Sequence, residues 1–463
     1  MTQRPLPVIT ALLAALKPDQ VLTGKNIPAR NRQDASRAPE TEPLALLLPR
    51  TTEDVATALA ICNAHHQAVV PQGGMTGLVK AAHPDQAEIA ISMERMVGIE
   101  DIDPQAGTLT VWAGTPLITI QQAAEQAGFL CGIDLGARGS CTIGGNIATN
   151  AGGNQVLRYG MARRNVLGLE AVLADGQIVT SMNKMLKNNA GYDWTQLFIG
   201  SEGTLGLITR AVLALHPRPK GVETALVAVR STQAAIDLLR TINSRLAGGL
   251  QVFEAMWSDF LAVATGPIGL QKPFAQDHVL TVLLETPTNG TNADKEAFEA
   301  VLAGLAEENL IEDAIIAQSD KDRARLWAYR ESPYEYGRFL PPLIGFDVSV
   351  PIGAFESTIA RIKQDMAQHW PQALVATFGH LADSNLHMIM AVEGLDAATK
   401  QAIESMVYHH VAAVSGSVSA EHGIGRAKRD YLALSRTPSE ITLMKTIKHA
   451  LDPNGILSPG RIF

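Results

Sequence analysis

The fold is decided by residues 134–153, which read DLGARGSCTIGGNIATNAGG. Consecutive glycines let the backbone approach a ligand closely and point several N–H groups into one concavity, which suits a pyrophosphate. Short polar side chains in the stretch can hydrogen-bond to phosphate or to the edge of a heteroaromatic ring. These side chains are Ser140, Thr142, Asn146, Thr149 and Asn150. The stretch therefore indicates a binding site for a phosphate-containing cofactor.

Two further glycine segments accompany it, PQGGMTG at 71–77 and GSEGTLG at 200–206. A single glycine pair is equally consistent with a tight turn, but three segments within one glycine-rich region favour a cofactor site. The sequence contains neither GxxxxGK[ST] nor a GxGxxG between a strand and a helix. It therefore argues against a P-loop ATPase and a Rossmann-type NAD enzyme.

Composition limits the class of protein. With 463 residues, of which 46% are hydrophobic and 18% charged, the chain can build two or three globular domains. The net charge of −8, without a basic stripe, argues against a nucleic-acid partner but leaves an anionic small substrate open. Only three cysteines occur and none form a CxxC pair, which favours a reducing compartment.

The N-terminal apolar stretch from Leu6 to Leu16 places Ile9, Leu12, Leu13 and Leu16 at helical spacing. We interpret it as an amphipathic surface helix and not as a signal peptide, since no small-residue cleavage site follows. No apolar run approaches the ~18 residues that a membrane span requires. We therefore expect a cytoplasmic protein without a transmembrane segment.

Changes in glycine content, turn signals and helix and strand patterns along the sequence predict four regions. They are an N-terminal helical segment (1–43), a cofactor-binding domain (44–219), an α+β second domain (220–429) and a C-terminal segment (430–463) that packs back on the cofactor domain. Within the cofactor domain, we expect a helix capped by Thr52.

Residues 379–387, GHLADSNLH, carry two histidines around a turn sequence. Pairing Leu381 with Leu386 predicts a hairpin in which His380 lies directly opposite His387, with Cβ atoms ~5 Å apart. Two such imidazoles suit two ligands of one ion, although ordinary hydrogen-bonded histidines are the alternative. Downstream, SAEHG (419–423) supplies a carboxylate and a further imidazole, which would point to opposite sides of an extended segment.

From about Pro49 to the C-terminus the chain resembles the vanillyl-alcohol-oxidase-like FAD enzymes, and within them the D-lactate, glycolate and D-2-hydroxyglutarate dehydrogenases. The resemblance is densest in residues 132–159, 191–209, 379–387 and 420–425. It implies an α+β fold with a two-subdomain FAD-binding domain and an α+β substrate-binding cap domain. It further implies a divalent metal, with zinc expected, on His380, His387 and Glu421.

The FAD-binding residues that we predict come from the three glycine segments and their immediate neighbours. They are Pro71, Gly73, Gly74, Met75, Thr76, Gly77, Leu78, Leu135, Gly136, Ala137, Ser140, Cys141, Ile143, Gly144, Gly145, Asn146, Thr149, Asn150, Ala151, Gly152, Gly153, Glu202, Gly203, Gly206 and Ile208. Several members of the wider family bond FAD covalently through a histidine in the first segment. Met75 stands in that place, so we expect non-covalent FAD.

Oxidation of a 2-hydroxy acid requires a base for the hydroxyl proton, an acceptor for the α-hydrogen and a grip on the carboxylate. The resemblance implies His422 as the base, and imidazole is the side chain that changes charge near neutral pH. Arg330, in WAYRE (327–331), corresponds to a family arginine and would hold the carboxylate through two parallel hydrogen bonds. A solvated helix arginine is the alternative. Asn385 is a candidate polar contact beside the metal.

The distal part of the substrate pocket departs from the hydroxyglutarate pattern. Tyr334 and Gly345 stand where those relatives show a threonine and a lysine, and Tyr336 or Arg338 are the candidate replacements. A D-lactate type, a D-2-hydroxyglutarate type and a bulkier monocarboxylic substrate thus remain open.

Other classes of protein share such a fold. An oxidase, a flavin reductase, an alkyl-transferring synthase and a non-catalytic FAD-binding protein are the alternatives, and the histidine and glutamate set argues against the last three. We expect a separate electron acceptor (a quinone, a cytochrome or an electron-transfer flavoprotein) and a homodimer, for which the residues themselves carry no signal.

Overall fold

The computed structural model describes residues 6–247 and 249–463. Residues 1–5 of the predicted N-terminal segment, and Gly248 of the predicted second domain, lie outside the described residues. The chain divides into two compact units. Unit 1 comprises the described residues of Met1–Gly153, Tyr159–Arg218 and Glu421–Phe463, and unit 2 comprises those of Asn154–Arg158 and Pro219–Ala420.

Strands and helices alternate along the chain in irregular order. The strands are β1 (Val21–Leu22), β2 (Ala45–Leu47), β3 (Val69–Gln72), β4 (Ile89–Ser92), β5 (Ile99–Asp103), β6 (Thr108–Trp112), β7 (Phe129–Cys131), β8 (Val166–Val172), β9 (Ile178–Ser181), β10 (Leu207–Pro217), β11 (Gly221–Val229), β12 (Val252–Trp257), β13 (Leu280–Thr288), β14 (Asp313–Ile316), β15 (Leu343–Ser349), β16 (Leu374–His380) and β17 (Asn385–Ala391). The α-helices are α1 (Pro7–Ala15), α2 (Thr52–Ala64), α3 (Leu117–Gln126), α4 (Ile143–Ala148), α5 (Val156–Tyr159), α6 (Ala162–Asn165), α7 (Thr195–Phe198), α8 (Thr232–Arg245), α9 (Ser258–Thr265), α10 (Asn292–Glu307), α11 (Asp320–Glu331), α12 (Tyr336–Phe339), α13 (Phe355–His369), α14 (Ala397–Ala412) and α15 (Pro438–Leu451).

Unit 1 contains two sheets, each with its own apolar core. The first sheet has the strand order β1-β2-β4-β3, with β2 and β3 parallel to β4. Its core combines Leu12 of α1, Leu59 of α2, Leu47, Ile91 and the C-terminal Leu457. The second sheet is antiparallel with the order β5-β6-β10-β8-β9, and β7 pairs with β10. This arrangement is that of two small α+β subdomains.

Two local predictions for unit 1, the N-terminal helix and the N-cap of α2, compare differently with the structure. The N-terminal amphipathic helix is confirmed as α1, which buries Ile9 and Leu12, but Leu13 is 44% exposed and does not belong to the buried stripe. The predicted cap of α2 is wrong by one residue. Thr51 is the N-cap, and it forms a capping box with Asp54, because the acidic residue must occupy the third helical position for the reciprocal bonds.

Residues 421–463 fold as part of unit 1. Leu457 forms a β-bridge with Val69, and Arg461 is fully buried with both guanidinium Nη atoms on the Glu88 carboxylate, at 2.5 and 2.9 Å. A buried ion pair of this kind keeps its place only when both charges have partners. The last unit 2 residue is Ala420, whereas the sequence placed the end of the second domain at residue 429.

Unit 2 is built on one antiparallel sheet with the order β14-β11-β13-β12-β16-β17-β15. Every residue of the central strand β12 is buried. The core on one side packs Met256, Phe260, Leu283 and Phe378 together. The α+β class predicted from the sequence is confirmed for both units. No helix in the described part of the chain is long and apolar enough to cross a membrane.

The three cysteines offer a simple check of the packing. Cys62, Cys131 and Cys141 are all buried, and burial raises the pKa of each thiol, to about 12 for Cys62 and about 11 for Cys131. Because the thiolate is the reactive form, we expect none of them to react with an aromatic disulfide reagent in the native protein at about pH 8. All three should react after unfolding in guanidinium chloride, and rapid labelling of a native thiol would contradict this packing.

Candidate functional site

A cleft lies within unit 1 between the end of β3, the helix α4 and the start of β10. The predicted cofactor residues that line it are Pro71, Gly73, Gly144, Gly145, Thr149, Glu202, Gly203, Gly206 and Ile208. It is also lined by Thr142, which the sequence indicated as a hydrogen-bonding residue of the cofactor site, and by residues that were not predicted, namely Gln72, Ala81, Ala82, Met93, Ala113, Ala148 and Leu207. The three glycine segments thus meet in one cleft.

The remaining predicted cofactor residues do not line this cleft. They are Gly74, Met75, Thr76, Gly77, Leu78, Leu135, Gly136, Ala137, Ser140, Cys141, Ile143, Asn146, Asn150, Ala151, Gly152 and Gly153. Two of these glycines permit a close approach of backbone to backbone. A Cβ on Gly74 would lie 2.0 Å from the carbonyl oxygen of Ser140, and one on Gly153, which has φ +107°, would lie 1.8 Å from that of Asp134. For these two positions, the tight packing of the chain explains the glycine.

Two buried polar atoms at α4 lack hydrogen-bond partners within the described residues. They are Oγ1 of Thr142, which precedes the helix and lines the cleft, and Nδ2 of Asn146. Buried polar groups are almost always paired, so such atoms call for a ligand or ordered water. The Cβ of a residue at Gly145 would meet only Thr142 Oγ1, at 3.5 Å, so the backbone there is open to a close contact. These features fit a pyrophosphate-containing cofactor.

Glu202 connects the cleft with the segment that follows His422. The Glu202 carboxylate is buried and accepts hydrogen bonds from the backbone N–H groups of Ile424 and Gly425, both at 2.7 Å. Burial raises the pKa of this carboxyl, while the two hydrogen bonds act in the opposite direction. Glu202 therefore holds the turn immediately after the candidate base.

Glu421 and His422 lie in a bend and not in the extended segment that the sequence suggested. The alternation of side chains along a strand consequently does not apply to them. Within unit 1, Oε1 of Glu421 accepts a hydrogen bond of 2.8 Å from the N–H of Gly153. Glu421 is thereby anchored to the end of the longest glycine segment.

In unit 2, His380 ends β16 and His387 lies on β17, as the predicted hairpin requires. The predicted pairing of Leu381 with Leu386 is wrong, because His387 pairs with Phe378. A 3-10 turn over Leu381–Asp383 and Ser384 at φ +69° lengthen the loop and move the register by two residues. A shift of two preserves the face of the sheet. The two imidazole centroids still lie 5.4 Å apart.

A buried carboxylate lies near each histidine. Glu254 of β12 pairs across the sheet with His380 and is hydrogen-bonded to its Nδ1. Such a carboxylate fixes the tautomer and leaves Nε2 for a ligand, as is usual for metal-ligating histidines. Asp347 of β15 pairs with His387, and its Oδ1 lies 4.0 Å from Nδ1 of that imidazole, which is beyond hydrogen-bond distance.

Glu254 also binds Arg330. Unlike Arg330, Glu254 was not among the site residues predicted from the sequence. Nε of Arg330 donates to Oε2 of Glu254 at 2.6 Å, and the guanidinium lies over the ring of Phe378, 4.7 Å from its centroid. The Arg330 side chain is 13% exposed, so the alternative of a solvated helix arginine is wrong. Glu254 could have been noticed as a lone charge in the apolar run VFEAMW (252–257), since a buried charge requires partners.

The surroundings of Glu254 fix its charge. Burial raises the pKa of this carboxyl, but the neighbouring His380 and Arg330 outweigh that effect and lower the pKa to about 2. Glu254 is therefore an anion at neutral pH. The same carboxylate is hydrogen-bonded to Nδ1 of His380, and Nε2 of that imidazole lies 3.4 Å from Nη2 of Arg330.

Asn385 lies at the first position of β17, next to this cluster in the hairpin. Its side chain is buried, and neither Nδ2 nor Oδ1 has a hydrogen-bond partner among the residues that the structure describes. An amide in this condition is a strong candidate for a contact with a ligand.

The residues considered for a second substrate carboxylate do not form a basic pocket. Tyr334 is 72% exposed, and Gly345 lies on β15, where an added Cβ would meet nothing within 4 Å. The candidate replacements are not placed for the role. Tyr336 is fully buried with its hydroxyl bonded to Ser332, and Arg338 is exposed and pairs with Glu335.

Comparison with known proteins agrees with this architecture. A family model described as an FAD binding domain matches residues 43–181, and one described as the C-terminal domain of FAD linked oxidases matches residues 218–462. The cleft of unit 1 and the matched domains define an FAD-binding protein, and the prediction of FAD as the cofactor is confirmed.

Curated relatives match over nearly the whole chain. The chain is 37% identical over 453 residues to D-2-hydroxyglutarate dehydrogenase, mitochondrial, of Bos taurus, covering 98% of this chain and 82% of the relative. It is 37% identical to D-2-hydroxyglutarate dehydrogenase of Xanthomonas citri pv. viticola, covering 93% and 91%. It is 36% identical to a putative mitochondrial D-lactate dehydrogenase of Schizosaccharomyces pombe, covering 89% and 80%.

Solved structures with low sequence identity share the fold. An alkyldihydroxyacetonephosphate synthase superposes with a TM-score of 0.77 at 19% identity, covering 98% of this chain and 86% of that chain. A p-cresol methylhydroxylase with substrate bound superposes with a TM-score of 0.76 at 15% identity, covering 98% and 96%. The predicted vanillyl-alcohol-oxidase type of fold is confirmed.

The chain belongs to the FAD-linked oxidase family, in the group that contains the D-2-hydroxy acid dehydrogenases. It is an FAD-dependent oxidoreductase, as the sequence predicted.

Proposed function

We propose that this protein oxidises a D-2-hydroxy acid of the D-lactate or D-2-hydroxyglutarate type to the 2-oxo acid. FAD binds non-covalently in the cleft of unit 1, and a divalent metal, which we take to be zinc, binds to His380, His387 and Glu421. The observation that carries the proposal is the pair of histidines on one face of the β16–β17 hairpin, with imidazole centroids 5.4 Å apart and the buried Glu254 carboxylate hydrogen-bonded to Nδ1 of His380.

The donor set suits a metal that takes part in chemistry. Two imidazole nitrogens and one carboxylate oxygen are ligands that zinc accepts, and three protein ligands leave a coordination position for substrate. Glu421 is proposed as the third ligand because it directly follows Ala420. The N–H of Ala420 faces the carbonyl of Asp347 at 3.4 Å, and Asp347 pairs with His387.

The bound groups would supply the chemistry that side chains lack: FAD accepts a hydride equivalent at N5, and a divalent ion makes a hydroxyl that it contacts more acidic. His422 then accepts the proton of the substrate hydroxyl. Arg330 holds the substrate carboxylate through the part of its guanidinium that Glu254 leaves open, while Glu254 keeps its Nε in place. The amide of Asn385 supplies a polar contact to the same end of the substrate.

This set of residues favours a 2-hydroxy acid over the other reactions of the fold. An alkyl-transferring synthase or a flavin reductase has no step that deprotonates a chelated hydroxyl, and a non-catalytic FAD protein would have no use for a fixed imidazole pair beside a buried arginine. The names of the relatives, D-2-hydroxyglutarate and D-lactate dehydrogenases, agree with this choice of substrate class. A homodimer, a cytoplasmic location and a separate electron acceptor remain predictions.

Removal of the metal should abolish the reaction while the flavin stays bound. We expect protein dialysed against a strong chelator to keep its FAD spectrum but to lose anaerobic reduction by D-lactate and D-2-hydroxyglutarate, and added Zn²⁺ should restore the reduction.

Glu421→Gln should hold less divalent metal, because a neutral amide is a weaker ligand than a carboxylate. Unchanged metal in this variant, measured by elemental analysis, would remove Glu421 from the ligand set.

FAD should be released intact when the protein is precipitated with acid. The reason is that Met75 offers a thioether where the covalent relatives offer an imidazole. The measurement is the flavin absorbance of the supernatant and of the washed pellet. Flavin that stays with the pellet would contradict non-covalent binding.

A further inference from the structure

We propose that Glu254 is the positioning residue of the substrate site, because a single buried carboxylate orients both the metal-binding imidazole of His380 and the guanidinium of Arg330. This inference rests on the proposed function and extends it to a residue of the β12 strand. Glu254 itself touches neither substrate nor metal in this account, and it acts through its two partners.

Each oxygen of the Glu254 carboxylate binds a different side chain. Oε1 is hydrogen-bonded to Nδ1 of His380, and Oε2 accepts from Nε of Arg330 at 2.6 Å. The Glu254 side chain is 1% exposed, so water does not compete for either oxygen. One carboxylate therefore fixes which nitrogen of His380 is hydrogen-bonded to Glu254 and which nitrogen of Arg330 is left for other partners.

The position of Glu254 makes the arrangement rigid. It lies in the centre of the sheet, on a strand that pairs with β13 on one side and with β16 on the other. A residue on a central strand is held by the hydrogen-bonded strands on both of its sides. Supporting residues of this kind determine metal affinity, since the loss of a carboxylate behind a ligating histidine typically weakens binding about 10–100-fold.

The competing explanation is a purely structural ion pair, and the chain offers a matched control for it. Glu285 of β13 is equally buried and also binds an arginine, with Arg323 donating to its two oxygens at 2.6 and 2.9 Å. Its other partners are the Trp327 indole and the Thr224 hydroxyl, and none of its hydrogen-bond partners among the described residues is a histidine. Because Arg323 and Trp327 lie on α11, the helix that carries Arg330, replacing Glu285 should disturb α11 but leave His380 in place.

The test compares Glu254→Gln with Glu285→Gln in the full-length FAD-loaded protein. In Glu254→Gln a single amide must face both His380 and Arg330. Its oxygen can still accept a hydrogen bond from one of them, but its NH₂ group is itself a donor and cannot accept from the other. We expect Zn²⁺ affinity, measured by competition with a chromophoric chelator, to fall about 10–100-fold. The KM for the 2-hydroxy acid should rise as well, because Arg330 is no longer held. Glu285→Gln should match the parent in Zn²⁺ affinity even where its melting temperature falls.

Equal Zn²⁺ affinity in Glu254→Gln and the parent would overturn the inference while leaving the proposed function intact. Equal losses of Zn²⁺ affinity in Glu254→Gln and Glu285→Gln would also overturn it, since they would show that any buried carboxylate of the sheet has the same effect on the metal. A parent protein that binds no divalent metal at all, or whose flavin no 2-hydroxy acid reduces, would instead overturn the proposed function and the inference with it.

Discussion

Replacing His422 by asparagine is expected to slow the anaerobic reduction of the flavin by about 10²–10⁴-fold, the usual cost of losing a general base. Asparagine has nearly the size of the imidazole but does not accept a proton at neutral pH. The turn that follows is held by the Glu202 carboxylate on the N–H groups of Ile424 and Gly425, so the backbone at the site should remain in place. FAD content and metal content should therefore equal those of the parent.

The rate constant is measured by stopped-flow absorbance with excess D-2-hydroxy acid. His449→Asn serves as the control, because it makes the same chemical change at an exposed position on α15. The control should reduce its flavin at the parental rate. A His422→Asn protein that also keeps the parental rate would remove His422 from the role of base.

Replacing Gly74 by alanine is expected to destabilise unit 1 and to impair FAD retention. The new Cβ would lie 2.0 Å from the carbonyl oxygen of Ser140 and 2.7 Å from the Cα of Cys141. Both are backbone atoms of the longest glycine segment, so the two segments must move apart. Overpacking of this kind costs roughly 1–3 kcal/mol or more. It acts next to Gly73, which lines the cleft.

Gly139→Ala is the matched control, because it precedes Ser140 in the longest glycine segment, is not among the predicted FAD-binding residues, and its Cβ would meet nothing within 4 Å. We expect Gly139→Ala to purify with a parental flavin-to-protein ratio, and Gly74→Ala to purify with a clearly lower ratio and a lower melting temperature. Similar behaviour of the two variants would show that the first glycine segment does not pack against Ser140 as described.

The cofactor cleft and the histidine hairpin were the features predicted best from the sequence, because their residue types each serve a specific structural need. Glycine at 73, 144 and 145 predicted the cleft because only a bare backbone allows such an approach. The hairpin was likewise visible in the turn residues of 382–385. These features are local, and a pattern of neighbouring residues is enough to recognise them.

The residues that the sequence analysis missed depend on long-range pairing. The register of His387 against Phe378 follows from Ser384 in the left-handed region, which lengthens the turn, and no alternation pattern reports that. The role of Glu254 depends on β12 lying beside β16, over a hundred residues away along the chain. Likewise, the Glu421 carboxylate is anchored by the N–H of Gly153, which comes from another part of the chain.

The central claim is the oxidation of a D-2-hydroxy acid by bound FAD, and an anaerobic visible spectrum tests it most directly. The purified protein is mixed in turn with D- and L-lactate, D- and L-2-hydroxyglutarate, glycolate and a larger D-2-hydroxy acid. We predict that the visible absorption band of the oxidised flavin is bleached by at least one D-acid and by neither L-enantiomer, because the hydride passes from the substrate to the flavin. A flavin spectrum that no 2-hydroxy acid changes would contradict the claim.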